Sequence, residues 1–184
     1  RFLWGNKQLF NEMRRIFKKN VVAESGPKFA EAKLEERDKR HLNMGDSRYV
    51  LEPNIKEGKG GLRDLHTLFW IAKYLYQVES VGQLLNEGVL NSNEVKRFSK
   101  AQNFLWTIRS HLHYIAGRGE DRMTFDVQAE IGRRMGYRDH AGTVGVERFM
   151  KHYYLTAKEV GDLTRIFCAA LEAEQKRWNA LRFR

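Results

Sequence analysis

Arg48 to Gln77 reads RYVLEPNIKEGKGGLRDLHTLFWIAKYLYQ, and the change of period inside this stretch decides the fold. Tyr49, Val50 and Leu51 are a short β-prone apolar run that Pro53 ends. Asn54 to Glu57 leads into Gly58-Lys59-Gly60-Gly61, and from Leu62 the apolar positions Leu62, Leu65, Phe69, Ala72 and Tyr76 fall three or four apart, with Leu68 and Leu75 widening the stripe. That spacing is helical. The stretch predicts a short strand, a glycine loop and the N-terminus of a helix, near residues 49–62.

Such a junction has two physical uses. Glycines take positive φ and let a ligand approach the backbone. The first turn of a helix has unpaired N–H groups and a partial positive charge that attract anions. Lys56, Lys59 and Arg63 add formal charge, so Lys56, Lys59, Gly60, Gly61 and Arg63 form a candidate phosphate-facing loop. The alternative is a turn made by glycines, with Asp64 in a structural role in the first helical turn.

Outward from this unit the chain predicts helices. Gly5 to Val22 carries Leu9, Phe10, Met13, Ile16 and Phe17 on one face, and Glu24-Ser25-Gly26-Pro27 reads as a break. Phe29 to Met44 is a charged helix with a thin stripe of Phe29, Ala30, Leu34 and Leu42. Ser80-Val81-Gly82-Gln83 is a capping box that opens a short helix. Asn91 is the N-cap expected for a long helix to Ile115, with Phe98, Ala101, Leu105, Ile108, Leu112 and Ile115 as a bundle seam. Gln102, Trp106, Arg109 and His113 form a stripe beside it. Arg109 and His113 read as a polar pair bonded to the loop at Glu120-Asp121-Arg122, with phosphate or partner contact as the alternative. Val127 to Met135 is a short helix, and Val146 to about Arg177 a last long one with Phe149, Tyr153, Ala157, Val160, Leu163 and Phe167 inward. The expected fold is mainly α: a helical bundle beside the strand–glycine loop–helix unit.

Composition agrees with a globular chain: 184 residues, 42% hydrophobic and 30% charged. The net charge of +10 is spread along the chain rather than gathered in a tail, which makes nucleic acid an unlikely partner. Cys168 has no second cysteine to pair with, which suits a reducing cytoplasm. No apolar run reaches the length of a membrane span. His111 and His113 point in different directions on a helix, no C-x-x-C or H-E-x-x-H occurs, and Asp139-His140 is an unsupported reversal of a His-Asp pair. No metal or catalytic residue is therefore assigned. The chain starts at Arg1 without Met, within Arg1-Phe2-Leu3-Trp4, and so reads as part of a larger protein.

EPNIKEGKGGLRDLHTLFWIAKY closely resembles the stretch that follows the nucleotidyltransferase core in bacterial PII-uridylyltransferases. A second block agrees: Arg109-Ser110-His111-Leu112-His113, then GRGEDRMTFDVQAEIGRRMGY from Gly117 to Tyr137, similar to that family's LH…GR…DR…FD.Q pattern. Two long motifs in order are far more specific than one glycine loop. The resemblance implies an enzyme that moves UMP from UTP to a tyrosine of the PII signal protein in nitrogen regulation, with Mg²⁺ in the full-length protein and no cofactor held by this stretch. The family's G-S…D-x-D metal motif is missing here, as are its His-Asp domain and regulatory repeats, so the stretch alone is expected to be inactive. Residues 1–60 would be the C-terminal edge of the nucleotidyltransferase domain, 61–184 a helical bundle domain, and Glu52 and Asn54 metal-proximal. By the same resemblance the Lys56–Arg63 loop would face the nucleotide. A glutamine-synthetase adenylyltransferase is the runner-up, although Leu65 to Trp70 favours the uridylyltransferase. A basic nucleic-acid-binding module and a scaffold domain are the readings from other classes.

Overall fold

The computed structural model describes residues 2–182, with side chains over 2–22 and 25–173. Six α-helices carry the chain: α1 (Lys7–Phe17), α2 (Ala23–Asn43), α3 (Leu62–Tyr76), α4 (Ser92–Ala116), α5 (Phe125–Arg134) and α6 (Gly145–Arg182). A π-helical segment, Lys18–Val22, joins α1 to α2, and a 3-10 helix, Val81–Leu85, lies between α3 and α4. Among the described residues there is no extended strand.

The core lies where α3, α4 and α6 meet, with α5 closing α4 against α6 and α2 laid on α3. The seam on α4 is as its period predicts: Phe98, Ala101, Leu105, Ile108 and Leu112 are buried. From α6 Phe149, Tyr153, Ala157, Val160, Leu163 and Phe167 meet them, and from α3 Leu62, Leu65, Leu68, Ile71 and Ala72. Each large apolar side chain so buried is worth about 1.5–3 kcal/mol. Both predicted caps form. Ser80 and Gln83 make a reciprocal capping box, and so do Asn91 and Glu94, which fixes where α4 starts.

Three expectations are corrected. The run Tyr49–Leu51 is not a strand. It lies extended as a strap, with the Val50 carbonyl accepting from Tyr154 Oη at 3.2 Å and the Leu51 carbonyl from Gln128 Nε2 at 2.7 Å. No neighbouring strand is present to pair with it. The sole ladder-like contact nearby is one antiparallel bridge between Asn54 and Arg122. There Ile55 N–H donates to the Asp121 carbonyl (2.8 Å) and Met123 N–H to that of Pro53 (2.9 Å).

Nor does the chain break at Glu24-Ser25-Gly26-Pro27: α2 runs through Pro27. The irregularity sits one turn earlier, in the π-helical segment, where a helix can absorb the proline's missing N–H and ring clash. Gly26 is buried because α2 presses on α3; a Cβ there would stand 2.9 Å from Leu75 Cδ2. Finally, α1 starts at Lys7 rather than Gly5, and Leu9, Met13, Ile16 and Phe17 on its apolar face are exposed. Phe2–Trp4 has no regular structure, and Arg1 lies outside the described residues.

Candidate functional site

The glycine loop is built by its own hydrogen bonds. Asn54 Oδ1 accepts the N–H groups of Lys56 (3.0 Å) and Glu57 (2.7 Å), an Asx turn. Gly58 N–H donates to the Asn54 carbonyl and Gly61 N–H to that of Gly58. The first amides of α3 are also taken: Leu62 donates to the Ile55 carbonyl at 3.0 Å and Arg63 to that of Lys56 at 2.9 Å. Of the amides from 56 to 64, only that of Lys59 has no partner among the described residues. The helix N-terminus is thus closed by the loop preceding it. Its glycines serve close packing. Gly60, at φ +82°, lies against the Ala157 backbone of α6, and a Cβ on Gly61 would strike the carbonyls of Ile55 and Gly58.

Beneath the loop sits Asp64, almost fully buried. It accepts from His41 Nε2 (2.9 and 3.0 Å), from Arg40 Nη2 and from Gly60 N–H (2.8 Å). Burial works against its charge, yet the His41 bond, the Gly60 amide and the positive charge of Arg40 outweigh burial, and its pKa lies below the ordinary carboxylate value. Asp64 ties α2, the loop and α3 into one unit.

Above the loop, charges from three segments gather on one surface. Arg63 reaches Glu57 (Nη2 at 2.8 Å), Lys56 Nζ lies 3.5 Å from Glu57 and 3.7 Å from Asp121, and Arg109 Nε donates to Asp121 Oδ1 at 2.6 Å. His113 Nε2 completes the row, 3.4 Å from the same oxygen. The bond from Arg63 holds the Glu57 carboxyl below its usual range; burial of Asp121 opposes ionisation, but Arg109 and His113 hold it low as well. The cations are not exhausted by these pairs. Among the described residues Lys56 Nζ makes no hydrogen bond, and Arg63 Nη1 and both terminal nitrogens of Arg109 have no partner.

Three rings from α3 and α4 stand together. His66 stands 5.9 Å from Trp70 and 5.9 Å from Trp106, ring centre to ring centre. Arg63 lies over Trp70 at 5.5 Å and Arg109 over Trp106 at 5.2 Å, within cation–π range. Burial, with the charges of Arg63 and Arg109, lowers the His66 pKa, so His66 is neutral at physiological pH.

The remaining sequence candidates lie apart from this surface. Lys59 Nζ is drawn to Asp46 Oδ1 at 2.5 Å. Glu52 accepts from Arg122 Nη2 (2.8 Å) and Phe125 N–H (3.0 Å), and Asn54 Oδ1 is spent on the loop. Neither has a free oxygen pair aimed at a common point, and among the described residues no three His, Cys, Asp or Glu side chains converge into a group that would hold a metal ion. The donor set around Glu52 and Asn54 thus does not fit a Mg²⁺ site by itself, and no reaction step is routed through it. Arg109 and His113 bond to Asp121 of the loop as their polar reading expects, whereas sequence reasoning missed Arg40, His41, Glu57, His66 and Trp70. The helical spacing of Arg63, His66 and Trp70 was the signal available for two of them.

No helix of the described residues is long and apolar enough to cross a membrane. The family model for GlnD PII-uridylyltransferase matches residues 28–168. A bifunctional uridylyltransferase/uridylyl-removing enzyme of Azospirillum brasilense is 71% identical over 177 residues, covering 96% of this chain and 19% of its own length. One of the same description from Rhodospirillum rubrum is 61% identical over 177 residues, with the same coverage. The chain spans about a fifth of the length of these curated relatives. No solved structure matches it. The glycine loop, the Asp64 hub and the charged row all fall inside the matched residues, and the chain belongs to the GlnD PII-uridylyltransferase family.

Proposed function

We propose that this chain is the helical part of a cytoplasmic bifunctional enzyme that transfers UMP from UTP to a tyrosine of PII and removes it again, in line with the uridylyltransferase and uridylyl-removing activities for which its relatives are named. In this reading residues 1–60 edge the nucleotidyltransferase domain and residues 61–184 form the bundle beside it. The exposed apolar face of α1 and the unpaired strap at Tyr49–Leu51 support a further body lying against them. Mg²⁺ would be held outside this stretch.

One observation carries the placement of the site. Lys56, in the loop, and Arg63, in the first turn of α3, stand together around Glu57 and keep unspent N–H donors there, where the phosphates of UTP would bring negative charge. The contribution is through side chains; the backbone amides of the loop are already bonded. The test is Lys56→Ala in the full-length enzyme. The Lys56 side chain makes no hydrogen bond among the described residues and only long ion-pair contacts, so the melting temperature should hold, while kcat/KM for UTP falls about tenfold, the loss of about 1.4 kcal/mol of charge-assisted binding. An unchanged kcat/KM for UTP would leave the loop with a purely structural role. Residues 1–184 alone should show no transfer with UTP, Mg²⁺ and PII.

A further inference from the structure

We propose that the cluster of rings Trp70, His66 and Trp106, carried by α3 and α4, is where the acceptor protein docks, through an acidic extended segment. This rests on the reading above that the intact enzyme modifies PII. Trp70 and Trp106 are large apolar side chains left 38% and 41% exposed, although both stand beside a well-filled core. Each carries a guanidinium on its face, Arg63 and Arg109. Tryptophan and arginine are the residue types that most often dominate binding energy at protein interfaces.

The number of rings decides between ligands. Both tryptophan ring centres stand 5.9 Å from that of His66, so three aromatic surfaces adjoin. A single nucleobase stacks on one ring. Charge decides the chemistry of the segment. Both terminal nitrogens of Arg109, which lies over Trp106, have no hydrogen-bond partner among the described residues, and the chain as a whole is +10. Carboxylates of the incoming segment would complete these donors while its side chains cover the indoles. Neutral His66, beside both tryptophans, adds a flat surface without repelling or attracting the carboxylates.

Arg63 lies over Trp70 and Arg109 over Trp106, so the rings adjoin the charged row, and the kinetics must tell a nucleotide role from an acceptor role. The test is steady-state kinetics of the full-length enzyme with PII varied at saturating UTP, and the reverse, for Trp106→Gln and Trp70→Leu. The expected result is a KM for PII raised at least tenfold in each variant, with KM for UTP within twofold of wild type. The KM for PII should also rise with ionic strength in the wild type and less so in Arg109→Gln. If the melts show Trp106→Gln to be misfolded, Trp106→Phe carries the same reading with a roughly threefold rise. An unchanged KM for PII in Trp70→Leu and in the folded Trp106 variant overturns the proposal. So does a KM for UTP that rises in the same proportion, since the rings would then serve the nucleotide. If the wild-type enzyme fails to modify PII at all, the function proposed above falls instead.

Discussion

Replacing Gly60 by alanine tests whether the loop is held by contact with α6. Two costs add. The first is backbone strain, since Gly60 sits at φ +82°, a region that costs an L-residue about 1–2 kcal/mol. The second is contact. The new Cβ would stand 2.5 Å from the Ala157 carbonyl oxygen and 2.8 Å from the Ala157 Cβ, and a helix backbone cannot step aside. The loop must recede, and the Gly60 N–H bond to the buried Asp64 carboxylate is lost with it, a further cost of about 1.5–3 kcal/mol for a bond to a charged group. The expected loss is about 3–5 kcal/mol. Gly117 supplies the comparison. It has φ +64° and open space where a Cβ would go, so Gly117→Ala should lose only the strain, about 1–2 kcal/mol. Urea unfolding followed by circular dichroism measures both midpoints under one condition. If the two variants agree within about 0.5 kcal/mol, the loop is not pressed on α6 and the reasoning fails.

Asp64→Asn keeps the shape but leaves Arg40 and His41 facing each other without a carboxylate; about 3–5 kcal/mol should be lost in urea unfolding, against less than ~1 kcal/mol for Asp38→Asn at an exposed pair. Ile108→Asp places a charge at a fully buried seam position and should cost on the order of 3–5 kcal/mol, read as a collapsed thermal melt; an unchanged melt would mean the seam is misassigned. Glu57, Asp64 and Asp121 are all held below their ordinary carboxyl values, so in acid the unfolded chain binds more protons than the folded one. Their stabilisation is complete above about pH 5 and drains away as pH falls through about 4 and below. Urea midpoints measured from pH 7 to pH 3 should drop along that limb, with a shallower drop in Asp64→Asn; a flat profile would contradict the assignment.

What was legible in the sequence was local. The seam Phe98 to Leu112 shows its period within one segment, and both capping boxes join residues three apart. What was illegible was set by distant partners. Tyr49-Val50-Leu51 has strand composition, but a strand needs a neighbour, and here side chains from α5 and α6 take its carbonyls instead. Gly26 resembles a breaker until Leu75 of α3 is seen against it. The cations of the loop were readable one by one. That Lys56 would join Arg109 at Asp121, and that Asp64 would be answered from α2 by Arg40 and His41, is a matter of tertiary contact between segments far apart in the chain.

The π-helical joint between α1 and α2 has a mechanical consequence. Because the chain does not break at Pro27, Lys7–Asn43 is one rod, about 55 Å long at ~1.5 Å per residue. Its far end carries the exposed apolar residues Leu9, Met13 and Ile16, and its near end holds Asp64, through which it holds Gly60. Whatever seats on those residues gains leverage over the loop: a small tilt there reaches Arg40 and His41 along continuous helix. The widened turn at Lys18–Val22 is the one place along the rod where such a push would be bent rather than passed on.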